Sequence, residues 1–206
     1  MKPNEQKIYL ASKSPRRREL LRQIGVEFEL LMLREDPSRG PVVSEEVIPG
    51  EDALTYVQRV TREKAEMAVR AMHWRRLPLR PILTADTSVT IDGDILGKPA
   101  DREQAREMIT RLSGRTHQVV TSVVLAVEGE LLQATQVSSV TFASLSAGQI
   151  HSYCLGSEPY DKAGGYGIQG HAAAFIAEMQ GSYSSIMGLP LYETARLLEQ
   201  AGLRQQ

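Results

Sequence analysis

Cysteine is nearly absent. Cys154 is the single one in 206 residues, which excludes an intramolecular disulfide framework and points to a reducing compartment. It lies among apolar residues of helical spacing and reads as a small buried hydrophobe rather than a nucleophile. Excess charge is missing too: 24 Lys and Arg stand against 25 Asp and Glu. With a net charge of −1, no molecule-wide field favours DNA or an anionic membrane, so any basic character is local. No apolar run approaches the length of a bilayer span, and the polar start MKPNEQK leads into no signal-like stretch. These absences predict a cytoplasmic protein with neither nucleic acid nor membrane as partner. Repeats and low-complexity tracts are lacking. No His/Cys cluster has zinc-like spacing, and no Ser-His-Asp order can be defended. His73 beside Trp74, Arg75 and Arg76 reads as a surface linker.

What is present has globular proportions, with 42% hydrophobic and 24% charged residues. That suits one domain over 1–206. A short strand at Ile8–Ala11 meets a helix with Ser14 as N-cap and Pro15 as first residue, stopped by Gly25. Val26, Phe28 and Leu30 alternate as a strand, and the acidic, Pro/Gly-rich stretch 34–51 reads as an exposed loop. A long helix is expected from Asp52 to Met72. "ILTAD" then reads as a short buried strand and "SVTIDGDILGKP" as a hairpin turning at Asp92-Gly93. Asp101 and Gln104 frame a helix that ends at Gly114. Two β-branched strands follow, joined at Gly129, then a helix from Ser146 to Gly156, a glycine-dense loop, a strand through Phe175 and Ile176, and a helix after Pro190. Interleaved helices and strands with hairpins among them specify an α/β protein with a mixed sheet.

Four places could carry chemistry. Arg16, Arg17 and Arg18 stand at the first turn of a helix, where the peptide dipole already disfavours cations. Unpartnered N–H groups and small residues there make an anion site, against the bland alternative of three solvated arginines. Lys64 falls within the apolar arc formed by Val57, Val60, Thr61, Ala65, Ala68 and Met72. A lysine so placed either snorkels or reaches a cleft or an anionic partner. Asp86 ends the "ILTAD" strand, where α/β sheets place ligand chemistry, although Asp also caps turns. Lys98 lies in a Gly-Lys-Pro turn nearby. Finally, Gly165, Gly167 and Gly170 match G-x-G-x-x-G. The required preceding strand and following helix are both wrong, which rejects a dinucleotide site. Those glycines instead allow backbone to approach a ligand, and Gln169 offers a donor and an acceptor for a base edge.

Taken together, "LASKSPRRRELL", "REKA", "ADT", "GKP", "RLSGRTHQV", "EPYDKAGGYGIQG" and "GSYSSIMGLPL" resemble the Maf family of nucleoside triphosphate pyrophosphatases from about Ile8 to Gly202. The resemblance implies a central twisted mixed β-sheet flanked by helices with a deep cleft, similar to inosine triphosphate pyrophosphatases, in a homodimer. It implies hydrolysis of a nucleoside triphosphate to the monophosphate and pyrophosphate with a divalent cation, Mg²⁺ or Mn²⁺. Asp86, Lys64 and Lys98 are then the catalytic residues. Ser12, Arg16, Arg17, Thr87, Lys162 and Gln169 bind substrate, and Asp86 with Glu35 or Asp36 of "REDPSRG" holds the metal. Arg16, Thr87 and Gln169 occupy three specificity points in the manner of the dTTP/UTP branch, modified pyrimidine nucleotides included. The 7-methyl-GTP branch carries Trp, Gln and Glu there. The rival from another class is a non-catalytic nucleotide-binding regulator of cell division.

Overall fold

The computed structural model describes residues 7–33 and 43–203. Seven strands form one mixed sheet: β1 (Ile8–Leu10), β2 (Phe28–Leu30), β3 (Ile82–Ile91), β4 (Asp94–Leu96), β5 (Thr116–Val127), β6 (Glu130–Phe142) and β7 (Ile176–Gln180). Their order is β2-β1-β3-β5-β6-β7, with β4 also on β3. The β1 strand runs parallel to β2 and β3, whereas the β3-β5-β6-β7 ladder is antiparallel. Among the described residues six α-helices surround it: α1 (Pro15–Gln23), α2 (Ala53–Trp74), α3 (Arg102–Leu112), α4 (Ala147–Leu155), α5 (Tyr183–Ile186) and α6 (Leu191–Gln200).

Helix ends follow their sequence signals. Ser14 caps α1 with Pro15 behind it, and Gly25 takes φ 71° just past the end. Asp52 accepts the Thr55 N–H at 2.7 Å to start α2, and Ser146 with Gln149 forms a full capping box for α4. The α2 helix runs on to Trp74, so His73 and Trp74 belong to its last turn rather than to a linker. Both two-residue hairpins, Asp92-Gly93 and Glu128-Gly129, have positive φ at both positions, as a type I′ turn requires.

The strand at "ILTAD" continues without a break into "SVTI": β3 is ten residues long. Asp86 therefore sits in mid-strand, not beyond a strand end. Period-two alternation sends Leu83, Ala85, Val89 and Ile91 into the main core, which also holds Leu20 and Leu21 of α1 and Ile109 and Leu112 of α3. Ile82 points the other way, against Ala68 and Met72 of α2. Thr84, on that same side, donates to the Thr61 carbonyl of α2. One edge of β3 pairs with β5 from Ile82 to Thr90. The other edge meets β1 only at Ile82 and Leu83, and β4 only from Val89 to Ile91. Between those partners the edge of Thr84–Ser88 has no strand beside it among the described residues, and the sheet opens there.

Candidate active site

A cleft of about 1180 Å³ enters at this opening. Asp86 and Thr87 are consecutive residues of β3, so the pleat turns their side chains to opposite sides of the strand. Asp86 faces α2, where Lys64 Nζ lies 2.7 Å from its Oδ1. Thr87 meets its cross-strand partner Thr121, Oγ1 to Oγ1 at 3.0 Å, and Thr121 donates onward to the Ser185 carbonyl at 2.8 Å. A strand with polar residues at its middle is stable here because each has a partner.

Arg17 reaches the Thr87 side from the first turn of α1. Its Nε donates to the Gly188 carbonyl at 2.7 Å, and its terminal nitrogens lie 3.3 Å from Thr87 Oγ1 and 3.5 Å from Ser12 Oγ. Burial lowers its pKa, an effect that Asp86 and Glu45 oppose and Arg16 adds to. A guanidinium remains charged under such a shift. Arg16 also lines the cleft, whereas Arg18 is turned to the Lys13 carbonyl. Three cations in one turn are thus divided, two to the cleft and one away.

Lys64 carries a second ion pair, to Glu45 Oε1 at 2.6 Å. The Lys64 side chain is 17% exposed, and two carboxylates bracket its ammonium. The arc position of Lys64 signals a cation that reaches a partner, and the partner is now visible. Burial works to raise the Glu45 pKa, but Lys64, with Lys98 and Arg17 further off, outweighs it and holds this carboxyl below its usual range. Glu45 is kept in place by α2: Tyr56 donates to the Glu45 carbonyl at 3.0 Å, and Arg59 donates to the Glu46 carbonyl at 3.0 Å. Arg59 also grips Glu51 through Nε and a terminal nitrogen at 2.7 and 2.8 Å. Burial, with Asp86 and Glu45 adding, pushes the Tyr56 hydroxyl up to about 12, so it stays a donor.

The glycine-dense loop forms the remaining wall, with Lys162 and Gln169 lining the cleft. Lys162 pairs with Asp161 and donates to the Glu158 carbonyl at 2.8 Å. Lys98 lines the wall contributed by the β4 turn. Ser12, Arg16, Arg17, Lys64, Asp86, Thr87, Lys98, Lys162 and Gln169 therefore all border one space. Glu35 and Asp36 lie outside the described residues. Glu45 and Tyr56, which sequence reasoning passes over, do border it. Nothing in the Ser-Glu-Glu run of an irregular loop marks Glu45 out.

Fold and site define an α/β enzyme whose cleft, cut into the edge of its sheet, gathers cations and carboxylates around a polyanion-sized space. Comparison with known proteins narrows the class. The model of the family described as Maf-like protein matches residues 7–201, and the chain belongs to that family. A dTTP/UTP pyrophosphatase of Aromatoleum aromaticum is 50% identical over 203 residues, 98% of each chain. One of Ralstonia nicotianae is 53% identical over 197 residues, 95% of this chain and 94% of that one. Among solved structures, the Staphylococcus aureus Ham1 protein aligns at a TM-score of 0.46 and 15% identity, covering 66% of this chain and 72% of that one.

Proposed function

We propose that this chain hydrolyses dTTP and UTP between the α and β phosphates, giving the nucleoside monophosphate and pyrophosphate. The observation that carries the reading is the meeting of Arg17, Lys64, Asp86 and Lys98, far apart in sequence, on one cleft. The relatives' activity, at about half identity over nearly the whole length, supports the substrate class.

In this reading the triphosphate docks against the start of α1, which explains cations at a helix end that would otherwise disfavour them. Water attacks the α-phosphorus; its oxygen forms the new P–O bond while the bond to the bridging oxygen breaks and pyrophosphate leaves. Asp86 orients that water and takes its proton. Lys64 occupies Oδ1 of Asp86 and fixes the carboxylate's rotamer, leaving the other oxygen for water. Arg17 and Lys98 stabilise charge on the phosphates and on the departing pyrophosphate. Arg16, Thr87 and Gln169 select the pyrimidine, and a neutral amide suits its imide edge better than a carboxylate would.

A divalent cation, Mg²⁺ or Mn²⁺, fits the donors. Among the described residues no three His, Cys, Asp or Glu gather as a self-sufficient site. Two carboxylates, Asp86 and Glu45, flank the Lys64 ammonium, each giving it one oxygen and keeping the other. One or two carboxylates completed by substrate phosphates is the usual Mg²⁺ arrangement. Asp86 and Glu45 would hold the ion, which when bound supplies charge neutralisation at the phosphate oxygens.

Pyrophosphate release from dTTP, UTP and 7-methyl-GTP, each with Mg²⁺, Mn²⁺ or chelator, tests the reading. The pyrimidine nucleotides are expected to have the higher kcat/KM, and chelation to abolish release. Asp86→Asn should lower kcat at least ~100-fold while the fold is kept. Preference for 7-methyl-GTP would move the chain to the sister branch, and no release from any triphosphate would leave a nucleotide-binding regulator.

A further inference from the structure

Two backbone amides just after Gln169 end on one carboxylate. The His171 N–H donates to Glu158 Oε2 at 2.7 Å and the Ala172 N–H to Oε1 at 3.3 Å. The Tyr153 hydroxyl lies 3.1 Å from Oε1 and 3.0 Å from the Gly165 carbonyl, so its one proton serves either acceptor. His171 Nδ1 stands 3.6 Å from Oε2. The Glu158 side chain is only 14% exposed. A glutamate on a surface turn ordinarily points to water, and shielding it is costly unless protein donors replace the solvent. Here they do, and what they hold still is the backbone of 171–172.

Gly170 shows how close that approach is. Its φ of −106° is open to any residue, so conformation does not require glycine. Space does: a Cβ at this position would lie 2.3 Å from the Glu158 carboxylate. At the other end of the loop, a Cβ on Gly167 would lie 2.8 Å from Cε of Lys162, whose ammonium donates to the Glu158 carbonyl. Gln169 is thus carried between two points fastened to the turn that begins at Glu158.

We propose that Glu158 is the positioning residue for nucleobase selection: it fixes the 170–172 backbone and so sets where Gln169 presents its amide to the cleft. The inference rests on the reading that Gln169 faces the base. Glu158 acts through the loop, and the phosphate half of the site, built from α1, α2 and β3, does not depend on it.

The test uses the full chain and Glu158→Ala, Glu158→Gln and Gly170→Ala, whose methyl group displaces the carboxylate. Each variant is expected to raise KM for dTTP by about tenfold or more, with kcat held within about threefold. The ratio of kcat/KM for dTTP over 7-methyl-GTP should fall by about tenfold, because a misplaced amide no longer discriminates. Inhibition by tripolyphosphate, which has no base, should be unchanged. Amide hydrogen exchange at His171 and Ala172 should quicken in both Glu158 variants while the β3 and β5 amides stay protected. An unchanged substrate ratio alongside faster loop exchange overturns the proposal. So does weakened tripolyphosphate inhibition, or loss of protection throughout the sheet in all three variants, since either makes Glu158 a general structural residue. A wild-type protein with no preference among bases would instead overturn the reading of Gln169, and this inference with it.

Discussion

Arg17 holds a carbonyl, two hydroxyls and, in the proposed function, a phosphate, from one half-buried guanidinium. Only a planar fork with five donors serves that many acceptors in fixed directions, and an ammonium on a flexible stem does not. Arg17→Lys keeps the charge and loses the fork, so kcat/KM for dTTP is expected to drop about 100-fold. Steady-state kinetics checks this; a change below about threefold would mean that charge alone suffices there. At this scale the sequence was unevenly legible. Lys64 declared itself because a helical wheel is a local property, and a cation inside an apolar arc must have a reason. Glu45 did not, because its role depends on Tyr56 and Arg59 drawing an irregular segment onto α2. No spacing rule encodes that contact.

Elements meet the site through close backbone approaches, and Gly164 is one that combines a tight contact with a left-handed backbone. It takes φ 70°, its N–H donates to the Gly97 carbonyl at 3.0 Å, and an added methyl would lie 2.9 to 3.0 Å from three atoms of Val89. Both the backbone conformation and the space exclude a side chain. Gly164→Ala is expected to cost at least about 2 kcal/mol, from overpacking added to αL strain. In calorimetry that is a drop of roughly 4–8 °C in Tm for a chain of this size. An unchanged Tm would show that the loop shifts off Val89 freely. Most elements were readable because caps, turn glycines and apolar periods are local signals. From sequence alone the β3 strand reads as two, because Asp-Thr-Ser at its centre resembles a break. Those residues line the cleft, and the ladder to β5 holds them extended regardless of propensity.

For the molecule as a whole, acid stability turns on a buried histidine that the proposed chemistry does not use. His117 is 2% exposed, edge-on to Phe142 and Tyr166, with Nε2 2.6 Å from the Tyr166 hydroxyl. Burial pushes its pKa down to about 4 from an ordinary 6.5. Because the unfolded chain binds the proton first as pH falls, the group's contribution is full above pH 6.5 and drains away between 6.5 and 4. The loss reaches on the order of 3 kcal/mol by the lower limit. Denaturant unfolding across that range should show the slope, and His117→Leu should flatten it whatever its effect on absolute stability. An identical slope in the variant would assign acid sensitivity to the carboxylates instead.

The long third strand has a bearing on how such a cleft could diversify. Asp86 and Thr87 ride on a rod clamped along one whole edge, while Gln169 arrives on an irregular segment fastened by a side chain. Alterations to that fastening leave the carboxylate proposed to take the proton undisturbed. Substrate preference can therefore drift from one nucleotide to another by small steps, with hydrolytic machinery intact at each of them.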